Sequence, residues 1–131
     1  MYEMGKVVET FSLGVLDVNT IDVIDFFEPK EIFIEGGEMI RRAEALHATP
    51  GLNQVRLMLN NFNEIPESLD KYDLVFAGAK KVCFMGIDRE RDRNEYIAYM
   101  RKIRGRWLLG YGGIAFDWDL RARLVRFSLL F

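Results

Sequence analysis

Glu35 and Asp88 are the residues of this chain best placed to do chemistry. Each follows an apolar run, Ile32-Phe33-Ile34 in the first case and Val82-Cys83-Phe84-Met85 with Gly86-Ile87 in the second, and each precedes a segment of helical character. Carboxylates at strand ends can hold Mg²⁺, which takes oxygen ligands and keeps several waters. A metal so held stabilises charge in phosphoryl transfer. Asp117-Trp118-Asp119 offers two more carboxylates at alternate positions, although aspartate is also expected in a turn for backbone reasons alone. Gly36-Gly37 at a helix start can present backbone N–H groups to a phosphate, but Glu35 and Glu38 flank it and repel an anion. Gly110-x-Gly112-Gly113 lacks the spacing of a dinucleotide fingerprint and runs into Ile114-Ala115-Phe116 instead of a helix, so glycines that kink or bulge a strand are expected there. With one histidine, His47, and one cysteine, Cys83, a zinc site built on several such ligands is excluded. No Gly-x-Ser-x-Gly elbow occurs, which argues against a Ser-His-Asp hydrolase.

The stretch Ile32-Phe33-Ile34-Glu35-Gly36, followed by Phe84-Met85-Gly86-Ile87-Asp88-Arg89-Glu90, is similar in layout to the Toprim domain. That family joins a strand ending in Glu-Gly to a later strand ending in Asp-x-Asp and uses the acids to bind Mg²⁺ in nucleic-acid cleavage or primer synthesis. The resemblance spans residues 31–111 and implies Glu35, Asp88 and Glu90 as metal ligands. The chain departs from the family in having Asp-x-Glu as its second motif and Asn60-Asn61 where a glycine-rich loop is usual.

A second chemistry is carried by arginine. Arg89, Arg91, Arg93, Arg101, Lys102, Arg104 and Arg106 crowd one segment, with Tyr96, Tyr99 and Trp107 among them. Guanidinium groups suit bidentate phosphate contacts and aromatic rings stack on bases. Arg101, Lys102, Arg104 and Arg106 are therefore the candidate nucleic-acid contacts. The alternative is a solvated helix face laced with pairs such as Glu90/Arg93.

These residues must be positioned by a framework, and five short apolar runs read as its strands: Val7–Phe11, Glu31–Glu35, Gln54–Leu59, Lys81–Met85 and Arg106–Leu109. Their starts lie about 25 residues apart, a spacing of βα units. Several are apolar on both faces, as in a parallel sheet covered by helices. Helices are expected from Thr20 to Phe27, from Gly36 to His47, from Pro66 to Phe76 and from Asp92 to Arg104, the last on Tyr96, Met100 and Ile103. Two stretches stay open. Gln54–Leu59 also fits a helix capped by Thr49, and Asp73–Ala79 also fits a strand. After Gly110 the rhythm stops: Asp117–Leu120 reads as a turn and Arg121–Phe131 alternates, giving an antiparallel hairpin at the sheet edge. The expected fold is thus a three-layer α/β domain over residues 1–131, with a mostly parallel sheet of about five strands and a C-terminal hairpin.

Composition fits that size class. A chain of 131 residues buries roughly 65–70% of its unfolded surface and needs no disulfide or metal to fold. One cysteine, no signal-peptide pattern and no apolar stretch long enough for a bilayer lead to the expectation of a cytoplasmic protein away from the membrane. Residues 1–88 carry 8 Lys+Arg against 15 Asp+Glu, whereas residues 89–131 carry 10 against 5. Such asymmetry means a basic surface, two faces that self-associate, or a fold that interleaves the halves. Two functions stand side by side. The first is a non-catalytic binding or assembly protein without a cofactor, homo-oligomeric, and contacting nucleic acid through its basic C-terminal half. The second is a Mg²⁺-dependent enzyme acting on phosphodiesters or nucleotides through the acidic residues.

Overall fold

In the structure, a computed structural model, residues 5–13, 19–84 and 93–129 are described. The chain runs β1 (Lys6–Ser12), β2 (Asn19–Asp25), β3 (Phe33–Glu35), α1 (Gly36–Ala45), α2 (Leu52–Asn60), two short 3₁₀ turns, β4 (Asp73–Phe84), β5 (Arg93–Ile103), β6 (Arg106–Gly113), β7 (Asp117–Asp119) and β8 (Ala122–Leu129). Six strands form one sheet in the order β1-β2-β8-β4-β5-β6, while β3 and β7 pair separately as a two-stranded ribbon. Only β4 and β8 are parallel neighbours; β1/β2, β2/β8, β4/β5 and β5/β6 are antiparallel. The expected three-layer α/β fold with a mostly parallel sheet is therefore incorrect: the described residues are mostly β, with a mixed sheet and two α-helices.

The physical reasons are local. The segment from Thr20 was expected to be helical on Ile21, Ile24 and Phe27. It forms β2 because Thr20, Ile21, Val23 and Ile24 are β-branched and fit a pleated, buried surface. Tyr96, Met100 and Ile103, expected on a helix, lie on β5. There Ala98 and Met100 face one core and Ile97 the other, because sheet neighbours flank the strand on both sides. Arg104 and Gly105, both at positive φ, make the two-residue turn that joins β5 to β6. Gln54–Leu59 lies on α2, the helical alternative, with its first backbone N–H groups served from Gly51 and the Gln54 carboxamide accepting from the Gly51 N–H at 2.9 Å. Asp73–Ala79 and Lys81–Phe84 are parts of the one strand β4, which is bulged between Phe76 and Lys80. The segment from Pro66 makes only a 3₁₀ turn before β4 begins. Helix α1 stands as expected. His47, at positive φ, closes it: its N–H reaches Glu44 O at 3.2 Å, and the Ala48 N–H reaches Ala43 O at 2.8 Å.

Alternation along β4 divides the core. Leu74 and Phe76 pack with Val55 and Met58 of α2 and with Val125, whereas Val75 and Ala77 pack with Met39 and Ala43 of α1 and with Trp118 of the ribbon. Strand β8 is not an edge hairpin; it sits between β2 and β4, and its Ala122, Leu124 and Val125 are buried within the chain. The outer strands are β1 and β6.

The central position of β8 also accounts for the charge asymmetry. Arg126 binds Asp22 at 2.7 Å and donates to Leu46 O, Arg123 lies 3.8 Å from Asp25, Arg101 grips Asp73 and Lys102 reaches Asp70. Arg101, Lys102, Arg123 and Arg126 of the basic C-terminal part are thus paired with carboxylates of the acidic N-terminal part. A further pair holds α1 to the β2–β3 connection: Arg42 binds Glu31 at 2.6 and 2.9 Å and also donates to Phe26 O. The hydrogen bonds from Arg42 hold the Glu31 carboxyl below its ordinary range. A carboxylate with a depressed folded pKa stabilises the fold above its unfolded value and loses that contribution as acid titrates the folded form. Stability is expected to fall below about pH 4.3, the unfolded glutamate value, and Glu31→Gln should flatten that part of a urea-denaturation profile against pH. A wild-type slope retained in full by the variant would refute this.

Candidate functional site

The ribbon is laid across the glycine-rich strand, and this arrangement builds two surface clefts. Gly110 and Gly112 point to the ribbon side of β6. A β-carbon on Gly112 would sit 2.5 Å from the Trp118 ring, and one on Gly110 would sit 2.8 Å from the Tyr99 ring. The glycines therefore make a bed for two aromatic rings, which meet edge to face at 5.5 Å, while the Trp118 indole N–H donates to Gly113 O at 3.3 Å. Glycines that kink or bulge the strand are what the sequence suggests; the structure gives Gly110 and Gly112 a packing role, as sites where aromatic rings approach the backbone closely.

Two clefts flank this contact, separated by Phe116. One, of about 210 Å³, is lined by Asp73, Tyr99, Arg101, Asp119 and Arg121. Arg101 donates to both oxygens of buried Asp73 at 2.8 Å, and Arg121 binds Asp119 at 3.0 Å. The carboxylate of Asp73 pushes Arg101 further above its usual value. The hydrogen bond from Arg121, with the charge of Arg101 adding to it, holds Asp119 below the carboxylate range. These four charges satisfy one another, while Asp117 lines the same cleft with no ion-pair partner among the described residues. The other cleft, of about 290 Å³, is lined by Glu35, Asn94, Glu95, Tyr96, Ile114 and Phe116.

Of the residues singled out for metal binding, Glu35 alone lies among the described residues. Glu35 ends β3 in the ribbon, a different sheet from β4, and its cross-strand partner is Asp117. Asp88 and Glu90 lie outside the described residues. Among the described residues, no group of three or more His, Cys, Asp or Glu side chains is gathered to hold a metal ion. Asp117 was expected in a turn; it lies on β7, and its opposition to Glu35 had no signature in the local sequence. The nucleic-acid candidates also part. Arg101 and Lys102 point to opposite faces of β5 and are paired with Asp73 and Asp70. Arg104 and Arg106 are exposed at the hairpin tip, with no carboxylate in ion-pair range among the described residues. Cys83 is a half-buried free thiol.

No helix among the described residues is long and apolar enough to cross a membrane. Comparison with protein-family models, curated proteins and solved structures finds no match.

Proposed function

We propose that the chain is a non-catalytic assembly domain that associates with copies of itself. The observation that carries this reading is the apolar surface along the outer strand β6 and its hairpin tip, where Ile103, Leu108, Leu109 and Tyr111 are exposed and, among the described residues, no strand pairs with the outer side of β6. An uncovered edge strand of eight residues is a template for pairing and is ordinarily blunted or occupied. The internal neutralisation of Arg101, Lys102, Arg123 and Arg126 also favours protein association over nucleic acid, because these side chains are already engaged by carboxylates.

Sedimentation from about 1 to about 100 µM, the range in which an interface of micromolar affinity populates, should show mass rising to that of a dimer. Leu108→Asp should weaken association at least tenfold while leaving the thermal midpoint nearly unchanged, since exposed substitutions move stability by about 0.5 kcal/mol or less. Wild-type protein that stays monomeric throughout would remove the assembly reading.

A further inference from the structure

The ribbon and the hairpin tip are complementary in charge and in shape. Glu35 and Asp117 are directly opposed across the ribbon, a pairing that brings like charges to about 5 Å between β-carbons and costs stability. Neither has an ion-pair partner among the described residues, whereas the neighbouring Glu38–Arg41 and Asp119–Arg121 pairs are self-neutralised. Phe33, 55% exposed, and Phe116, 69% exposed, flank the two carboxylates. The tip carries the converse: Arg104 and Arg106 beside Ile103 and Leu108, which are 45% and 44% exposed.

One chain cannot join these patches to each other. Glu35 lies at the level of Tyr96, eight residues along the chain from Arg104, or about 26 Å at the rise of a strand, and Asp117 lies nearer, in the cleft with Tyr99 and Arg101, where Arg101 is already held by Asp73. Ile103, Arg106 and Leu108 share the sheet face on which the ribbon rests, as their register with Arg101 requires. That face is therefore stepped. The ribbon stands about 10 Å proud of the sheet at one end, as packed sheets do, and the tip is bare at the other.

We infer that two copies dock by this face about a two-fold axis, with the Glu35–Asp117 ribbon of each copy lying on the Arg104–Arg106 tip of the other. Two stepped faces turned end for end fill one another, and both unbalanced charge pairs are then matched twice, as in a closed isologous dimer. The proposal rests on the assembly reading above and names its surfaces.

Charge reversal in the full chain tests it. Glu35→Lys with Asp117→Lys, and separately Arg104→Glu with Arg106→Glu, should each raise the dimer dissociation constant about 100-fold or more, because each contact then opposes like charges. Mixing the two variants should restore a one-to-one dimer, since one contact is native and the other is reversed on both sides. Where a lysine pair impairs folding, as circular dichroism would report, Glu35→Gln with Asp117→Asn should still weaken association and flatten its salt dependence. Dimers that persist in both reversed variants would overturn this interface and leave the assembly reading standing. Monomeric variants that fail to recombine would also overturn it. Wild-type protein monomeric at every concentration would overturn both.

Discussion

Gly112→Ala is expected to destabilise the protein by about 2–3 kcal/mol, the cost of forcing volume into a packed contact. The added methyl group would lie 2.5 and 2.6 Å from two atoms of the Trp118 ring, closer than non-bonded carbons come. Trp118 has little room to yield. Its indole N–H is bonded to Gly113 O, its ring meets Tyr99 edge-on, and it is nearly buried in the core beneath the ribbon. The ring must therefore leave, and the ribbon with it. Emission from Trp118, isolated in a Trp107→Phe background, should shift towards the red before the main unfolding transition. An unchanged urea midpoint and unchanged emission would refute the packing described for this strand. The variant should also weaken self-association, because it displaces Glu35 and Asp117 together.

Asp73→Ala is expected to cost about 2–3 kcal/mol. Removing one partner of a fully buried ion pair costs about 3–5 kcal/mol, and the lower figure follows because the Arg101 side chain retains 35% exposure and is partly screened by water. Asp73 is the one charged side chain among the buried residues described, and it accepts from both Nε and Nη2 of Arg101. It lies where β4 begins its parallel pairing with β8, its own N–H bonded to Arg121 O at 2.8 Å. Alanine leaves the guanidinium facing the Asp119–Arg121 pair without its counter-charge. Asp73→Leu combined with Arg101→Met should recover much of the loss, since a buried pair replaced by apolar groups is often neutral. A double-mutant cycle with no coupling between positions 73 and 101 would show that the pair contributes nothing.

Both substitutions act where the chain folds back on itself, and both positions were poorly legible in the sequence. Asp73 opens a stretch that fits a helix end or a strand equally well, and nothing nearby in the chain points to Arg101, 28 residues on. Glu35 was legible as a strand-end carboxylate before a helix, and it occupies that position. Its partner Asp117 was not, because cross-strand opposition depends on a register formed between segments 82 residues apart.

What the sequence determined by itself is local. A short run of β-branched and aromatic residues makes β1 a strand and alternating apolar residues make β8 one, the stripe of Met39 and Ala43 makes α1 a helix, and the break after Gly110 marks where the strand pattern changes. The tertiary structure alone decided which strands are neighbours and how β2 and β5 resolve a periodicity that suits both helix and strand. Spacings of three and four occur in any strand apolar on both faces, so periodicity cannot separate a buried strand from a helix; covering both faces of β5 does. The charge asymmetry was likewise plain in the sequence, but its meaning was not. Placing β8 between β2 and β4 brings Arg126 to Asp22 across 104 residues of chain, and strand order of that kind is set by the summed burial of the whole sheet, not by any segment within it.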